Sequence, residues 1–245
     1  MSDKMFISRR KFLKTTGITA GLAAVGGSLI AFETAEAKGN DAHDAHTAAS
    51  KNSGIPRARM FFTNVLDFNI LSAAAERIFP KDELGPGAVD LGVPYFIDHQ
   101  LAGAYGYNAR EYMVGPHFEG APTQGYQTPL LRKDLFLQGI AAINKQAKTQ
   151  YKMDFPDLSP AQQDDILKMC EKGDIRTEGF KSSFFFSVFK GAVIAGVYAD
   201  PMYGGNADMS GWKMKQYPGA RMAYTDIIDS DKFEKIEPVS LADMM

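Results

Sequence analysis

The segment "FFFSVFKGAVIAGVY" at residues 184–198 is apolar on nearly every side of a helix and carries one charge, at Lys190. It is shorter than the roughly 20 apolar residues that a membrane-spanning helix requires, and the lysine interrupts it. A helix that is hydrophobic all round lies either at the centre of a core or under another protein. We therefore expect the other helices, or a partner, to cover this segment.

Two helices are predicted before it, near the start of the domain. The first runs from about Met60 and stops at Pro80, with an apolar stripe at helical spacing. That stripe comprises Phe68, Leu71, Ala75 and Ile78. A second, short helix is predicted at "VPYFIDHQLAG" (93–103), because proline is well tolerated in a first helical turn.

Two further helices carry recognisable start signals. Thr128 and Pro129 have the pattern of an N-cap and a first-turn proline. The face that follows them comprises Phe136, Ile140, Ile143 and Ala147. Residues 159–162, "SPAQ", form a capping box with proline at the first helical position. The helix that they open carries Ile166, Leu167 and Cys170.

Long loops rich in glycine and proline connect these helices, at 83–92, 114–129 and 200–221. We find no alternating strands of useful length, so the sequence predicts a mostly α fold with a single helical domain at 60–245. Loops of this length are uncommon in a compact domain unless they are functional. Their aromatic residues either anchor a partner or fold back over the chain's own core. These aromatic residues are Tyr126, Tyr203, Trp212 and Tyr217.

The N-terminus has the pattern of a twin-arginine export signal at residues 1–37. Its motif comprises Ser8, Arg9, Arg10, Phe12, Leu13 and Lys14. A mild apolar run follows, and Ala35 and Ala37 form an A-x-A pattern that places cleavage before Lys38. The alternative is an uncut membrane anchor. Cleavage predicts a periplasmic protein with a flexible polar linker at 38–59.

Charge and composition exclude several classes of function. Without residues 1–37 the chain holds 22 Lys and Arg against 26 Asp and Glu, a net charge of −4. No basic face is implied, so nucleic acid is excluded as a partner. The chain lacks G-x-G-x-x-G, C-x-x-C-H and G-x-S-x-G, which dinucleotide, c-type haem and acyl-transfer sites would require.

Scattered polar residues add no catalytic, cofactor-binding or metal-binding site. His43 and His46 stand beside Asp41 and Asp44 in the linker, which is too flexible to hold a metal in advance. His99 and His117 are predicted to be hydrogen-bonded structural residues. Asp164 and Asp165 lie in the first turns of a helix, where the helix dipole favours carboxylates.

Three segments resemble the small subunit of the gluconate 2-dehydrogenase family, called subunit 3 or the gamma chain. They are 85–103, 125–136 and above all "DPMYGGNADMSGWKMKQYPGAR" at 200–221, and the resemblance runs from roughly Ser8 to Gly219. The D-P-x-Y-G-G-N…G-W…Y-P-G pattern is its most specific part. The resemblance implies an oxidoreductase complex in which this chain has no cofactor and is not catalytic by itself.

The resemblance also implies the partners. The large subunit of such complexes is a glucose–methanol–choline type flavoprotein that binds FAD and lacks an export signal. A cytochrome c subunit with haem c commonly passes electrons toward quinone. This chain would then carry the flavoprotein through the twin-arginine translocase and stabilise it, and the periplasmic complex would associate with the membrane.

We predict that the 200–221 loop contacts this partner. A turn begins at Asp200 and two glycines give the backbone freedom, so that aromatic side chains are presented outward. The predicted interface comprises Asp200, Tyr203, Gly204, Gly205, Asn206, Trp212 and Tyr217. Two alternatives remain: an independent periplasmic enzyme that uses the 114–129 and 200–221 loops through His117, Asp200 and Tyr203, or a ligand-binding protein that acts alone.

Cys170 is the only cysteine of the chain. It shares a helical face with Ile166 and Leu167, which predicts a buried thiol. It also lies near the end of its helix, where a side chain can reach outward to a partner's cysteine. The sequence slightly favours the second alternative, an intersubunit disulfide.

Overall fold

The protein is described by a computed structural model that covers residues 57–118, 120–121, 124–126, 128–232 and 234–245. Within these ranges the regular structure is helical and no β-strand occurs, which confirms the predicted mostly α fold. The helices are α1 Val65–Ile78, α2 Val93–Ala102, α3 Arg132–Tyr151, α4 Pro160–Lys172, α5 Ser182–Tyr198 and α6 Ser210–Lys215. Residues 1–56, which hold the predicted signal, its cleavage site and most of the linker, lie outside the described ranges.

Helix α5 is the centre of the core and contacts each of the other five helices. Phe185 and Phe189 stack with their ring centroids 5.8 Å apart, and Phe136 of α3 packs edge-on against both. All three rings are buried. The sequence left two positions open for this apolar segment, the centre of the core or a surface covered by a partner. The structure confirms the first.

The predicted helices α1, α2 and α4 form at the expected places. The Asn64 side chain caps α1 by accepting a hydrogen bond from the Leu66 amide at 3.0 Å. Helix α2 begins at Val93 with Pro94 in its first turn. The capping box of α4 is confirmed, since the Ser159 and Gln162 side chains each accept a hydrogen bond from the other residue's backbone amide.

Helix α3 begins later than the sequence predicted. Its first residue is Arg132 and its N-cap is Leu131, not Thr128. Local hydrogen bonds hold the preceding residues in a turn. The Tyr126 hydroxyl donates to the Leu130 carbonyl at 2.7 Å, and the Leu130 amide donates to the Thr128 hydroxyl at 3.3 Å. The side chain that resembled a helix cap therefore stabilises the turn before the helix.

Asp164 joins two helices and does more than favour the dipole of α4. Its two carboxylate oxygens accept from Nε and Nη2 of Arg77 in α1, at 2.7 and 2.8 Å. This bidentate geometry is the strongest form of an arginine–carboxylate pair. Asp165, in contrast, is exposed, and its interaction with the helix dipole stays a prediction. The prediction was incomplete for Asp164 because its partner lies far away in the sequence.

Asp98 anchors the chain before α1, a role that was not predicted from the sequence. It lies in the otherwise apolar helix α2 and is fully buried. Its carboxylate accepts hydrogen bonds from the backbone amides of residues 60–62, at 2.5 to 3.3 Å. A single acidic residue inside an apolar helix was the available signal, because a buried carboxylate requires such donors.

No helix in the described ranges is both long and apolar enough to cross a membrane.

Candidate functional site

Residues 200–219, which we call the motif segment, wrap around the C-terminal end of α5. Asn206 is fully buried and joins the two. Its Nδ2 donates to the carbonyl of Ala199 at 2.8 Å, and its Oδ1 accepts from the amide of Gly211 at 2.7 Å. These bonds fix the start of α6, a short helix that the sequence analysis described only as loop. Asn206 was predicted as an interface residue, but its side chain faces inward.

The glycines of the motif segment allow the backbone to approach α5 closely. A Cβ atom at Gly205 would lie 2.3 Å from the carbonyl oxygen of Gly196, and one at Gly211 would lie 2.1 Å from that of Val197. Gly204 has a φ of +95°, in the left-handed region. Gly204 and Gly205 are buried, so they pack the segment and do not form a surface as predicted.

Trp212 is part of the interior. Only 6% of its surface is exposed, and its indole Nε1 donates to the Tyr198 carbonyl at 2.8 Å. The indole and the Tyr217 ring also pack in an edge-to-face arrangement, with the centroids 5.5 Å apart. The prediction of Trp212 as an exposed anchor is therefore corrected, because its ring and its N–H group are both used inside the chain. Tyr203 and Tyr217 are half-exposed and remain interface predictions.

Asp200 holds the C-terminal tail. Its carboxylate accepts from the Ser240 hydroxyl at 2.6 Å, the Leu241 amide at 2.8 Å and the Met202 amide at 3.1 Å. Burial raises the pKa of Asp200, but the hydrogen bonds from Leu241, Ser240 and Met202 outweigh it and leave the pKa below its usual value. The residue predicted at the interface thus joins two segments of its own chain.

Two clefts lie near the motif segment. The first, of about 710 Å³, has a lining that includes Asp200, Tyr203, Tyr105, Arg110 and Glu111. The second, of about 740 Å³, is lined by His117, Phe118, Tyr126 and Phe184 among others. His117 and the pair Asp200–Tyr203 line different clefts. The structure thus does not bring together the three residues of the alternative enzyme site.

Arg132 lies between the two clefts and lines both. Its guanidinium sits 4.6 Å from the ring centroids of both Tyr105 and Tyr126, and its Nη2 pairs with Glu111 at 2.8 Å. Burial raises the pKa of Tyr126 to about 12, although the nearby Arg132 cation lowers it. Burial also raises the pKa of Tyr105, although the Arg132 cation lowers it. No local sequence pattern indicates this cluster, because its members are brought together only by the fold.

Cys170 faces the core and is 1% exposed. Its thiol donates to the Ser182 carbonyl at 3.4 Å, and the Ser182 hydroxyl donates back to the Cys170 carbonyl at 3.2 Å. Burial raises the pKa of the thiol to about 12. This position favours the protected thiol over the intersubunit disulfide that the sequence slightly favoured, because a partner's sulfur would have to enter the core.

The remaining candidate residues have simpler surroundings. His99 Nε2 lies 2.8 Å from the Ala58 carbonyl oxygen, as expected of a hydrogen-bonded structural histidine. No group of three or more His, Cys, Asp or Glu side chains in the described ranges could hold a metal ion. His43, His46 and the acidic residues beside them lie outside those ranges, as do the residues of the export motif.

The fold and these contacts define a small all-α protein whose glycine-rich motif closes one end of a central helix. The family model described as gluconate 2-dehydrogenase subunit 3 matches residues 66–219, which is more than half of the chain. The chain belongs to this family, as the sequence motifs predicted. Comparisons with curated proteins and with solved structures found no match.

Proposed function

We propose that this chain is the small, non-catalytic subunit of a periplasmic, FAD-dependent dehydrogenase complex of the gluconate 2-dehydrogenase type. One observation carries the proposal: a subunit 3 domain at 66–219 follows a twin-arginine motif at residues 8–14. The twin-arginine pathway moves proteins that have already folded. A chain without a cofactor motif of its own gains from this pathway only if it travels with a partner that has one.

The partner in this proposal is a flavoprotein of the glucose–methanol–choline type. It takes up FAD in the cytoplasm, binds the small subunit there and crosses the membrane with it through the twin-arginine translocase. In the periplasm the small subunit stabilises the flavoprotein. A cytochrome c subunit with haem c is the third member. It passes electrons onward, and it associates the complex with the membrane.

The contacts of the motif segment support a structural role. Asp200 and Asn206, its buried polar side chains, both bond to the chain itself. The aromatic surface that remains for a partner consists of the half-exposed rings of Tyr203 and Tyr217. A rigid motif segment of this kind presents aromatic side chains with little loss of conformational entropy on binding.

Purification of the native protein tests the proposal. We expect a yellow, flavin-bearing large chain to co-purify with this chain in equal amounts. A colourless monomer with dehydrogenase or hydrolase activity of its own would contradict the proposal and support the independent enzyme. A colourless, inactive monomer would contradict it too and support a ligand-binding protein that acts alone.

A further inference from the structure

The described residues between α2 and α3 that we call the arm are 107–118, 120–121, 124–126 and 128–131. Residues 107–118 are its outgoing half, and 124–126 with 128–131 are its returning half. Two hydrogen bonds join the ends of the arm. The Lys133 amide donates to the Gly106 carbonyl at 3.1 Å, and the Arg132 amide donates to the Asn108 side-chain oxygen at 2.8 Å. A long excursion with its ends held together is typical of surface loops that carry a function.

The returning half of the arm is fixed to the domain. The Tyr126 ring packs against Phe184 of α5, with the centroids 5.4 Å apart, and it also lies 4.6 Å from the Arg132 guanidinium. The same guanidinium pairs with Glu111 in the outgoing half. These contacts orient the arm before any partner binds, which lowers the entropic cost of binding.

The outgoing half of the arm exposes large apolar side chains. Tyr112 is 81% exposed, Phe118 75%, Val114 67% and Tyr107 55%. With ~200 Å² for a fully exposed aromatic side chain, the three rings offer on the order of 400 Å². That is about half of the ~800 Å² that each partner contributes to a stable interface. Exposed apolar residues concentrated in one short stretch of the chain, 107–118, are typical of a protein-binding surface.

We propose that the arm docks the flavoprotein subunit, with Tyr112 and Phe118 as its central anchors. This inference rests on the proposed function and names the surface that serves it. The arm lies inside the family-matched region at 66–219, which is the domain that binds the flavoprotein in the proposed function. A second group of exposed apolar residues, Met222 and Ile228, lies beyond that region.

The position of the arm extends the predicted interface. Tyr203 of the motif segment and Arg110 of the arm line the same first cleft, so they belong to one face of the domain. Arg110 is exposed at the base of the arm. The complementary surface on the flavoprotein is thus an apolar recess for Tyr112 and Phe118, with a carboxylate at its rim for Arg110.

Binding of the co-expressed flavoprotein to full-length variants tests the inference. The variant carries Tyr112→Ser and Phe118→Ser, and the matched control carries Met222→Ser and Ile228→Ser, which also removes two exposed apolar side chains. We expect the arm variant to bind the flavoprotein at least tenfold more weakly, because anchors at the centre of an interface carry most of its affinity. The control should bind like the unaltered chain, and both variants should keep the same far-UV circular dichroism.

Three results would overturn the inference. Wild-type affinity in the arm variant would show that the arm lies outside the interface. An equal loss in the control would show that the effect is not specific to the arm. Conversion of a homodimer to a monomer in the arm variant, with flavoprotein binding retained, would assign the arm to self-association. If the unaltered chain binds no flavoprotein at all, the proposed function itself fails.

Discussion

Trp212 fills the space between the end of α5 and the turn at 217–219. We predict that Trp212→Ala lowers the free energy of unfolding by about 3–5 kcal/mol, the usual cost of truncating a buried aromatic side chain. Urea denaturation of the full chain measures this loss. Tyr203→Ala is the control, because Tyr203 is half-exposed and should change stability by less than about 1 kcal/mol. An unaltered midpoint for Trp212→Ala would mean that the indole does not support the core.

Asp200 gives the C-terminal tail a dependence on pH. The pKa of Asp200 is below its usual value in the folded chain. The charged carboxylate therefore stabilises the fold at pH values above the usual carboxyl pKa. That contribution is lost as the pH falls through the lowered pKa. We predict that Asp200→Asn weakens the tail at neutral pH and removes part of the stability loss that the unaltered chain undergoes below about pH 4.

Amide hydrogen exchange at Ala220 and Leu241 reports on the tail, because both amides are hydrogen-bonded when it is in place. Exchange there should be faster in Asp200→Asn than in the unaltered chain at pH 7. Asp165→Asn serves as the control, since Asp165 is exposed and lies in α4, outside the motif segment and the tail. Equal exchange in Asp200→Asn and the control would contradict the assigned role.

At the scale of helices and loops, the sequence predicted what periodicity and local caps encode. The stripe of α1, the capping box of α4 and the apolar α5 depend on neighbours within a few residues, so they were found. Helix α6 was missed because its N-cap, Met209, has no side-chain cap and a φ of +54°. Its start is fixed by Asn206, which is itself held by the end of α5.

The arm depends on Arg132 for its orientation. We predict that Arg132→Met increases the rate of limited proteolysis within 107–131 by about tenfold, because it removes the cation between two rings and the partner of Glu111. The helical circular dichroism should be retained. Arg110→Met is the matched control, since Arg110 is an exposed arginine of the same segment. Cleavage at the same rate in both variants would show that Arg132 does not hold the arm.

At the scale of the whole molecule, the family and the fold could be predicted from the sequence, but the roles of individual motif residues could not. Aromatic residues on a glycine-rich loop have the same pattern whether they face a partner or the core. Trp212 faces the core because the glycines bring the loop onto α5. The role of Asp98 was not predicted and that of Asp164 was predicted only in part, because their hydrogen-bond partners lie tens of residues away in the sequence.

The central claim is that this chain carries a flavoprotein across the membrane. In this proposal the subunit 3 domain at 66–219 would attach to the flavoprotein, and the motif at residues 8–14 would act as the export signal. Export of the partner should then depend on two arginines that the partner does not contain. This dependence separates a carrier subunit from a protein that is exported for its own activity.

The most direct measurement is the location of the flavoprotein when Arg9 and Arg10 are both changed to lysine in the full chain. Cells that express both chains are fractionated, and the flavoprotein is followed by its FAD absorbance and by immunoblot. Arg57→Lys with Arg59→Lys is the matched control outside the signal. We predict that both chains and the flavin stay in the cytoplasm of the Arg9/Arg10 variant, while the control exports them normally. Flavoprotein in the periplasm of the Arg9/Arg10 variant at the control's level would contradict the account.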